Sequence, residues 1–151
     1  HQRILHILRQ KKTRWVIILM KNKVAIVYSD YYKDVTSGLL DGFNNSIDST
    51  FECDEFKVSG SWEIIYKINS LIDEYDKFVA IGVIVKGETD HYEFLSSSIA
   101  NQLLNLTTTK NVYISNCVLN VLNIDQATER AGSENNKGAE SAQALNNLFI
   151  T

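Results

Sequence analysis

The run Lys77-Phe78-Val79-Ala80-Ile81-Gly82-Val83-Ile84-Val85, continued by Lys86-Gly87-Glu88-Thr89-Asp90-His91-Tyr92-Glu93-Phe94, decides the architecture. After Lys77 the first half is apolar without a break, the pattern of a parallel strand covered on both faces. It ends in a Lys-Gly turn, after which Leu95, Ile99, Leu103 and Leu106 recur at helical spacing. A helix is therefore expected over residues 89–106, with Glu88 and Thr89 at its first turn. There backbone N–H groups lack intrahelical partners and the helix dipole favours an anion. Strand, turn and helix thus bring a cation, free N–H groups and an imidazole to one place. This arrangement suits a site that binds a phosphate and moves protons.

Working outward, residues 23–28 read as a first strand, and residues 29–34 as a polar, aromatic loop. From Val35 the positions Leu39, Leu40, Phe43 and Ile47 predict a helix, and residues 51–58 a second strand. Ser61 is placed to cap a helix whose buried stripe is Ile64, Ile65, Ile68, Leu71 and Ile72. Residues 111–119 read as a fourth strand, 123–131 as a short helix and 138–148 as a last one. Strands and helices alternate over short connections. The fold class is α/β: a three-layer sandwich with a four-stranded parallel sheet, flavodoxin-like. Ligands of such sheets sit beyond the carboxyl ends of the strands. Tyr31, Ser61-Trp62-Glu63, Lys86 to His91 and Asn116 to Asn120 are accordingly expected on one rim.

The 151 residues suffice for one domain with a real core. A net charge of -3 gives no basic field, so neither nucleic acid nor a membrane is expected as partner. Cys53 and Cys117 lack metal-ligand spacing and read as reduced, buried thiols of a cytoplasmic protein, with no metal expected. Residues 1–22 read as an N-terminal extension or arm, and 23–151 as the domain. The arm is basic (Arg3, Arg9, Lys11, Lys12, Arg14), and its apolar run from Trp15 to Met20 falls short of the roughly 20 residues a membrane span needs. A native start near Met20 is expected, with a transit peptide or a strand added to a neighbouring subunit as the other readings.

Each chemical reading has a plainer alternative. Lys86 is also a solvated loop residue, Thr89 a simple cap and His91 a structural histidine at a helix start. Trp62 offers a plane for a heterocycle and Glu63 an acceptor for hydroxyl groups, yet both suit an ordinary helix start. Tyr31 is a second aromatic face or a loop tyrosine. Arg130, in Gln126-Ala127-Thr128-Glu129-Arg130, grips a phosphate or pairs with Gln126 or Glu134 along the surface. Asn135-Asn136-Lys137-Gly138 is most economically a structural turn.

Taken together and in order, Gly60-Ser61-Trp62-Glu63, Gly82 to Tyr92, Gln126 to Arg130 and Asn136-Lys137-Gly138 resemble the 6,7-dimethyl-8-ribityllumazine synthase family of riboflavin biosynthesis. The likeness spans residues 23–148. It implies a condensation of 5-amino-6-(ribitylamino)uracil with 3,4-dihydroxy-2-butanone 4-phosphate, without cofactors. Tyr31 and Trp62 would flank the pyrimidine, and Ser61 and Glu63 would hold the ribityl chain. Val83, Ile84 and Val85 would offer backbone groups to the ring. Lys86, Glu88 and Thr89 would line the phosphate pocket, the last two through main chain, and His91 would donate and accept protons. Asn116 and Arg130 would reach a neighbouring subunit's site, Asn116 at the ring and Arg130 at the phosphate. The resemblance implies a homo-oligomer, with a pentamer favoured over a sixty-subunit shell.

Four features depart from the family pattern. Tyr32 stands where an Asn is usual, and Ser59 and Ile65 stand where prolines commonly flank the motif. Cys117-Val118-Leu119-Asn120 replaces a Gly-Ile/Val-Leu-Thr segment, and the turn over residues 132–137 is slightly short. A non-catalytic flavin- or lumazine-binding or shell-forming homologue is the competing class.

Overall fold

The computed structural model describes residues 2–20 and 22–150, and the side chains of residues 2–11 and 22–150. The elements run α1 (Gln2–Met20), β1 (Lys23–Ser29), α2 (Lys33–Ser46), β2 (Glu52–Val58), a 3-10 turn (Ser61–Glu63), α3 (Ile64–Leu71), β3 (Lys77–Val85), α4 (His91–Lys110), β4 (Tyr113–Val121), α5 (Ile124–Arg130) and α6 (Lys137–Phe149). The four strands are all parallel in the order β2-β1-β3-β4. The expected three-layer α/β sandwich is the one found.

Alternation along the strands separates the two faces of the sheet. Val24, Ile26, Val79, Ile81, Cys117, Leu119 and Val121 face a core completed by Val35, Leu39 and Phe43 of α2, Ala127 of α5, and Ala142 and Leu145 of α6. Ala25, Val27, Phe78, Ala80, Ile84, Ile114 and Val118 face the opposite core, against Ile64, Ile68 and Leu71 of α3 and Ile99, Leu103 and Leu106 of α4. Both faces of β3 are covered, which explains its unbroken apolar run.

A close seam joins α2 to α6. The Asn136 side chain donates to the carbonyls of Gly38 (2.9 Å) and Ala131 (3.1 Å) and accepts from the Ala139 N–H (3.0 Å), capping α6 while clamping it to α2. A Cβ at Gly138 would collide with the Leu39 carbonyl oxygen. The 135–138 turn is the structural device expected of it.

Several boundaries differ from the sequence reading. Asn111 adopts a left-handed conformation (φ 52°) as the C-cap of α4, a geometry Asn tolerates better than most residues. That cap lets α4 run on to Lys110 and displaces the fourth strand to Tyr113–Val121. Helix α4 begins at His91, so Glu88 and Thr89 precede its first turn instead of forming it. Ser61 opens a 3-10 turn whose N-cap is Gly60, and its side chain makes no capping hydrogen bond. The run from Trp15 to Met20 is helical, not an extended segment available for strand addition.

Candidate functional site

From β1 the chain winds outward to β2, and from β3 the opposite way to β4, so the switch point lies between β1 and β3. In open parallel sheets the crevice beyond the carboxyl ends at such a point is where ligands bind. Here the two strands end at different heights. Pairing of β1 with β3 stops at Tyr28–Ile81, whereas β3 stays paired with β4 as far as Val85–Val121. From Gly82 to Val85, β3 therefore has a strand on one side only. The other backbone edge, carrying Val83, Ile84 and Val85, faces the crevice without a strand partner.

The 3-10 turn closes on this overhang. A Cβ at Gly82 would lie 2.8 Å from Ser61 Oγ and 3.2 Å from Ile64 Cδ1, so a side chain there would push Ser61 off the strand. Glycine at that position lets Ser61-Trp62-Glu63 lie against β3. Trp62, 68% exposed, and Glu63 both present their side chains to solvent.

Beyond Val85, the Lys86 N–H bonds to the Val121 carbonyl at 2.9 Å, extending the ladder by one residue. The loop 86–90 is exposed throughout. Lys86 Nζ stands 3.5 Å from Glu93 Oε1, a loose, half-exposed pair that an incoming anion can displace. Thr89 Oγ1 accepts from the His91 N–H at 3.4 Å, and the exposed His91 is the first residue of α4. The cation, the polar loop and the imidazole are thus consecutive along the rim, as the sequence predicted, although Glu88 and Thr89 serve as a loop.

On the β1 side, the loop bearing Tyr31 is pinned at three points. Thr36 Oγ1 donates to the Ser29 carbonyl (2.9 Å), the Thr36 N–H to the Tyr32 carbonyl (3.0 Å), and Lys57 pairs with Asp30 (2.8 Å). The Lys57 contact holds the half-buried Asp30 carboxyl below its ordinary range. Tyr31 is 77% exposed, and its ring meets that of Tyr32 edge-on at 5.0 Å and 76°.

Two predicted residues are not part of this crevice. Asn116 pairs in register with Ala80, five residues before Val85, on the outer strand β4. It was expected at the rim because the strand was read as ending at 119. Its side chain is exposed, and its Oδ1 accepts from the Val118 N–H at 3.0 Å. Arg130 closes α5, in the α2/α5/α6 layer, whereas Trp62 and His91 belong to the α3/α4 side. Its Nη1 donates to the Gln126 carbonyl (3.0 Å), the Gln126 partner expected of the plainer reading. Arg130 also lines a polar hollow of about 460 Å³ with Glu129, Glu134 and Lys137.

A larger groove of about 510 Å³ runs between α3 and α4 from Trp62 to Lys110. Trp62 is the one candidate-site residue lining it; Lys86, Thr89 and His91 do not, so the groove is separate from the Lys86–His91 loop. Among the described residues no group of three His, Cys, Asp or Glu side chains is placed to hold a metal ion. Nor is any helix among them long and apolar enough to cross a membrane.

The sequence reading missed the overhang of β3, the Glu93 partner of Lys86 and the ring contact of Tyr32. Strand register carries no local signal. The Lys86 and Glu93 positions, seven apart across a turn, gave only a charge complementarity to notice.

Fold and rim together define a doubly wound α/β domain whose switch-point crevice combines an aromatic plane, a free backbone edge and a polar loop that begins with Lys86. The profile of the 6,7-dimethyl-8-ribityllumazine synthase family matches residues 21–149, and the chain belongs to that family. It is similar to 6,7-dimethyl-8-ribityllumazine synthase of Limosilactobacillus reuteri, at 34% identity over 129 residues, covering 82% of this chain and 84% of the relative. The Buchnera aphidicola relative of that name is 35% identical over 130 residues (81% and 82% covered). That of Zymomonas mobilis is 35% identical over 131 residues (84% and 94% covered).

Proposed function

We infer that this chain is a transferase that condenses 5-amino-6-(ribitylamino)uracil with 3,4-dihydroxy-2-butanone 4-phosphate, giving 6,7-dimethyl-8-ribityllumazine, phosphate and water, the penultimate step of riboflavin biosynthesis. Family membership supports the reaction. The observation that carries the site is the one-sided stretch of β3 from Gly82 to Val85, flanked by Trp62 and ended by Lys86.

In this reading the pyrimidine lies between Tyr31 and Trp62, edge-on to the backbone of Val83, Ile84 and Val85. Its ribityl hydroxyls reach Ser61 and Glu63. The phosphate is received by Lys86 and by the main chain at Glu88 and Thr89. The substrate's primary amine attacks the ketone carbon, and water leaves as the imine forms. Loss of phosphate follows as a proton is taken from the neighbouring carbon; the resulting enol becomes a ketone, and attack of the ribityl-bearing nitrogen on that carbonyl closes the ring as a second water leaves. His91 gives and takes these protons, since an imidazole carries one nitrogen that donates and one that accepts. Lys86 stabilises the negative charge on the departing phosphate.

Asn116 and Arg130 serve the site of a neighbouring copy, Asn116 at the ring and Arg130 at the phosphate. Their placement away from this protomer's crevice supports that assignment. The enzyme is then a homo-oligomer, a pentamer in preference to a sixty-subunit shell, acting in the cytoplasm. Residues 1–22 are an extension to the domain of residues 23–151.

The test is to mix the purified chain with both substrates and follow the absorbance and fluorescence of the lumazine. A folded oligomer that forms no product overturns the reading. The same assay on a chain starting at Met20 should give undiminished turnover.

A further inference from the structure

We propose that Tyr32 is a positioning residue for the pyrimidine substrate, acting by fixing the ring of Tyr31; this rests on the function proposed above. Tyr31 is 77% exposed and emerges from a loop whose backbone is anchored at Ser29, Asp30 and Tyr32. Those anchors set where its Cα sits but not where its ring points, because two side-chain torsions remain free. The edge-on contact with the Tyr32 ring, at 5.0 Å and 76°, is the ring contact that restrains them. This geometry is favoured for aromatic pairs, since a positive ring edge meets a negative ring face.

Tyr32 is itself well held. It is half-buried, packs against the core between the sheet and α2, and occupies the N-cap position of α2, where its carbonyl accepts from the Thr36 N–H. A fixed ring therefore braces an exposed one at the crevice mouth. Ordering the Tyr31 ring before the substrate arrives lowers the entropy lost when a heterocycle stacks on it. The benefit falls on binding of the ring-bearing substrate alone, because the phosphate-bearing one is held by a different loop.

The test uses Tyr32→Leu, which keeps apolar packing and removes the ring, and Tyr32→Phe, which keeps the ring and removes the hydroxyl. An aromatic pair contributes about 0.5–1.5 kcal/mol, which converts to an effect of about two- to twelvefold. Tyr32→Leu is expected to raise KM for the pyrimidine substrate by about that factor. KM for the butanone phosphate and kcat should stay within about twofold, and Tyr32→Phe should restore the wild-type value. In a Tyr31→Ala background, Tyr32→Leu should have no further effect.

A Tyr32→Leu enzyme with unchanged pyrimidine KM, or with both KM values raised alike, overturns the proposal. So does a Tyr32→Phe enzyme as impaired as Tyr32→Leu. Fluorescence titration with 6,7-dimethyl-8-ribityllumazine separates this from the function itself. If the wild-type chain binds the lumazine without turning over substrate, the reaction assignment fails, while the ratio of Kd between wild type and Tyr32→Leu still decides the role of Tyr32. A wild-type chain that binds no lumazine overturns both.

Discussion

The two ends of the sheet are built in opposite ways. At the amino end, polar and aromatic groups are buried and matched. Lys77, 5% exposed, pairs with Asp76 at 2.9 Å and lies 4.7 Å from the Phe149 ring, while the Tyr75 hydroxyl donates to Asp54 at 2.6 Å. At the carboxyl end Tyr31, Trp62, Lys86 and His91 are exposed, and the edge of β3 lacks a strand partner. Matched groups at one end hold the layers together. Those left open at the other are the groups that meet the ligand in the function proposed above, in keeping with a rigid scaffold that carries a site on its loops.

The sharpest way to break this contrast is to exchange stability against turnover. Phe78→Ala empties a fully buried position on β3 next to the Tyr75 ring, and should cost about 3–5 kcal/mol. Urea unfolding would show it as a lower midpoint with little change in slope. What remains folded should keep its KM values. His91→Ala should do the reverse: kcat falls by about 10²-fold, at the low end for a proton-transfer group, while the unfolding midpoint moves by less than about 0.5 kcal/mol. Turnover is expected to weaken without vanishing, because placing two substrates side by side is itself a large part of the acceleration. An unfolding shift in His91→Ala as large as that of Phe78→Ala would erase the distinction.

How much of this was legible beforehand follows the same division. The apolar run 78–85 and the helical stripes Ile64-Ile68-Leu71 and Ile99-Leu103-Leu106 announced the layers, because burial writes a period into the sequence. The rim motifs marked the residues that carry the chemistry-bearing side chains. Their arrangement was not legible where it depended on register. Asn116 was expected at a strand end, but the left-handed cap at Asn111 moves β4 two residues on and leaves Asn116 mid-strand. The role of Gly82 was likewise invisible until Ser61 was found against it. Residues 15–20 gave the opposite lesson. Their apolar run left open a strand added to a neighbouring subunit, and a helix spans them instead, since a short apolar run does not specify its own period.

The scaffold also has its own pH limit, distinct from that of the site. Burial pushes the Cys117 thiol up to about 11 from an ordinary 9.0, and burial with the nearby Asp54 charge does the same for Cys53. The Tyr75 hydroxyl is raised too, by burial and by its bond to Asp54. Each group is neutral in the fold and ionises more readily once unfolded. Their stabilisation is therefore complete below about pH 9 and is lost as pH climbs towards 11. Unfolding midpoints measured from pH 7 to 11 should be flat and then fall. The fall should be shallower in Cys53→Ala combined with Cys117→Ala, and an equal slope would remove the thiols from the account.

The smallest expected effect probes whether the amino end is purely structural. Phe149 lies partly exposed at the end of α6, with its ring over Lys77 and edge-on to Tyr113 at 5.9 Å and 63°. Phe149→Ala removes a cation–π contact and an aromatic pair, each about 0.5–1.5 kcal/mol at a partly exposed position. About 1–2 kcal/mol of destabilisation is expected. Phe149→Leu restores much of the apolar contact but no ring, so the difference between the two variants separates packing from ring electrostatics. The Phe149→Leu deficit should persist at high salt, because Lys77 is buried and poorly screened. Neither variant should alter either KM. A change in KM would mean that the two ends of the sheet are coupled, which no contact linking Phe149 to the rim requires.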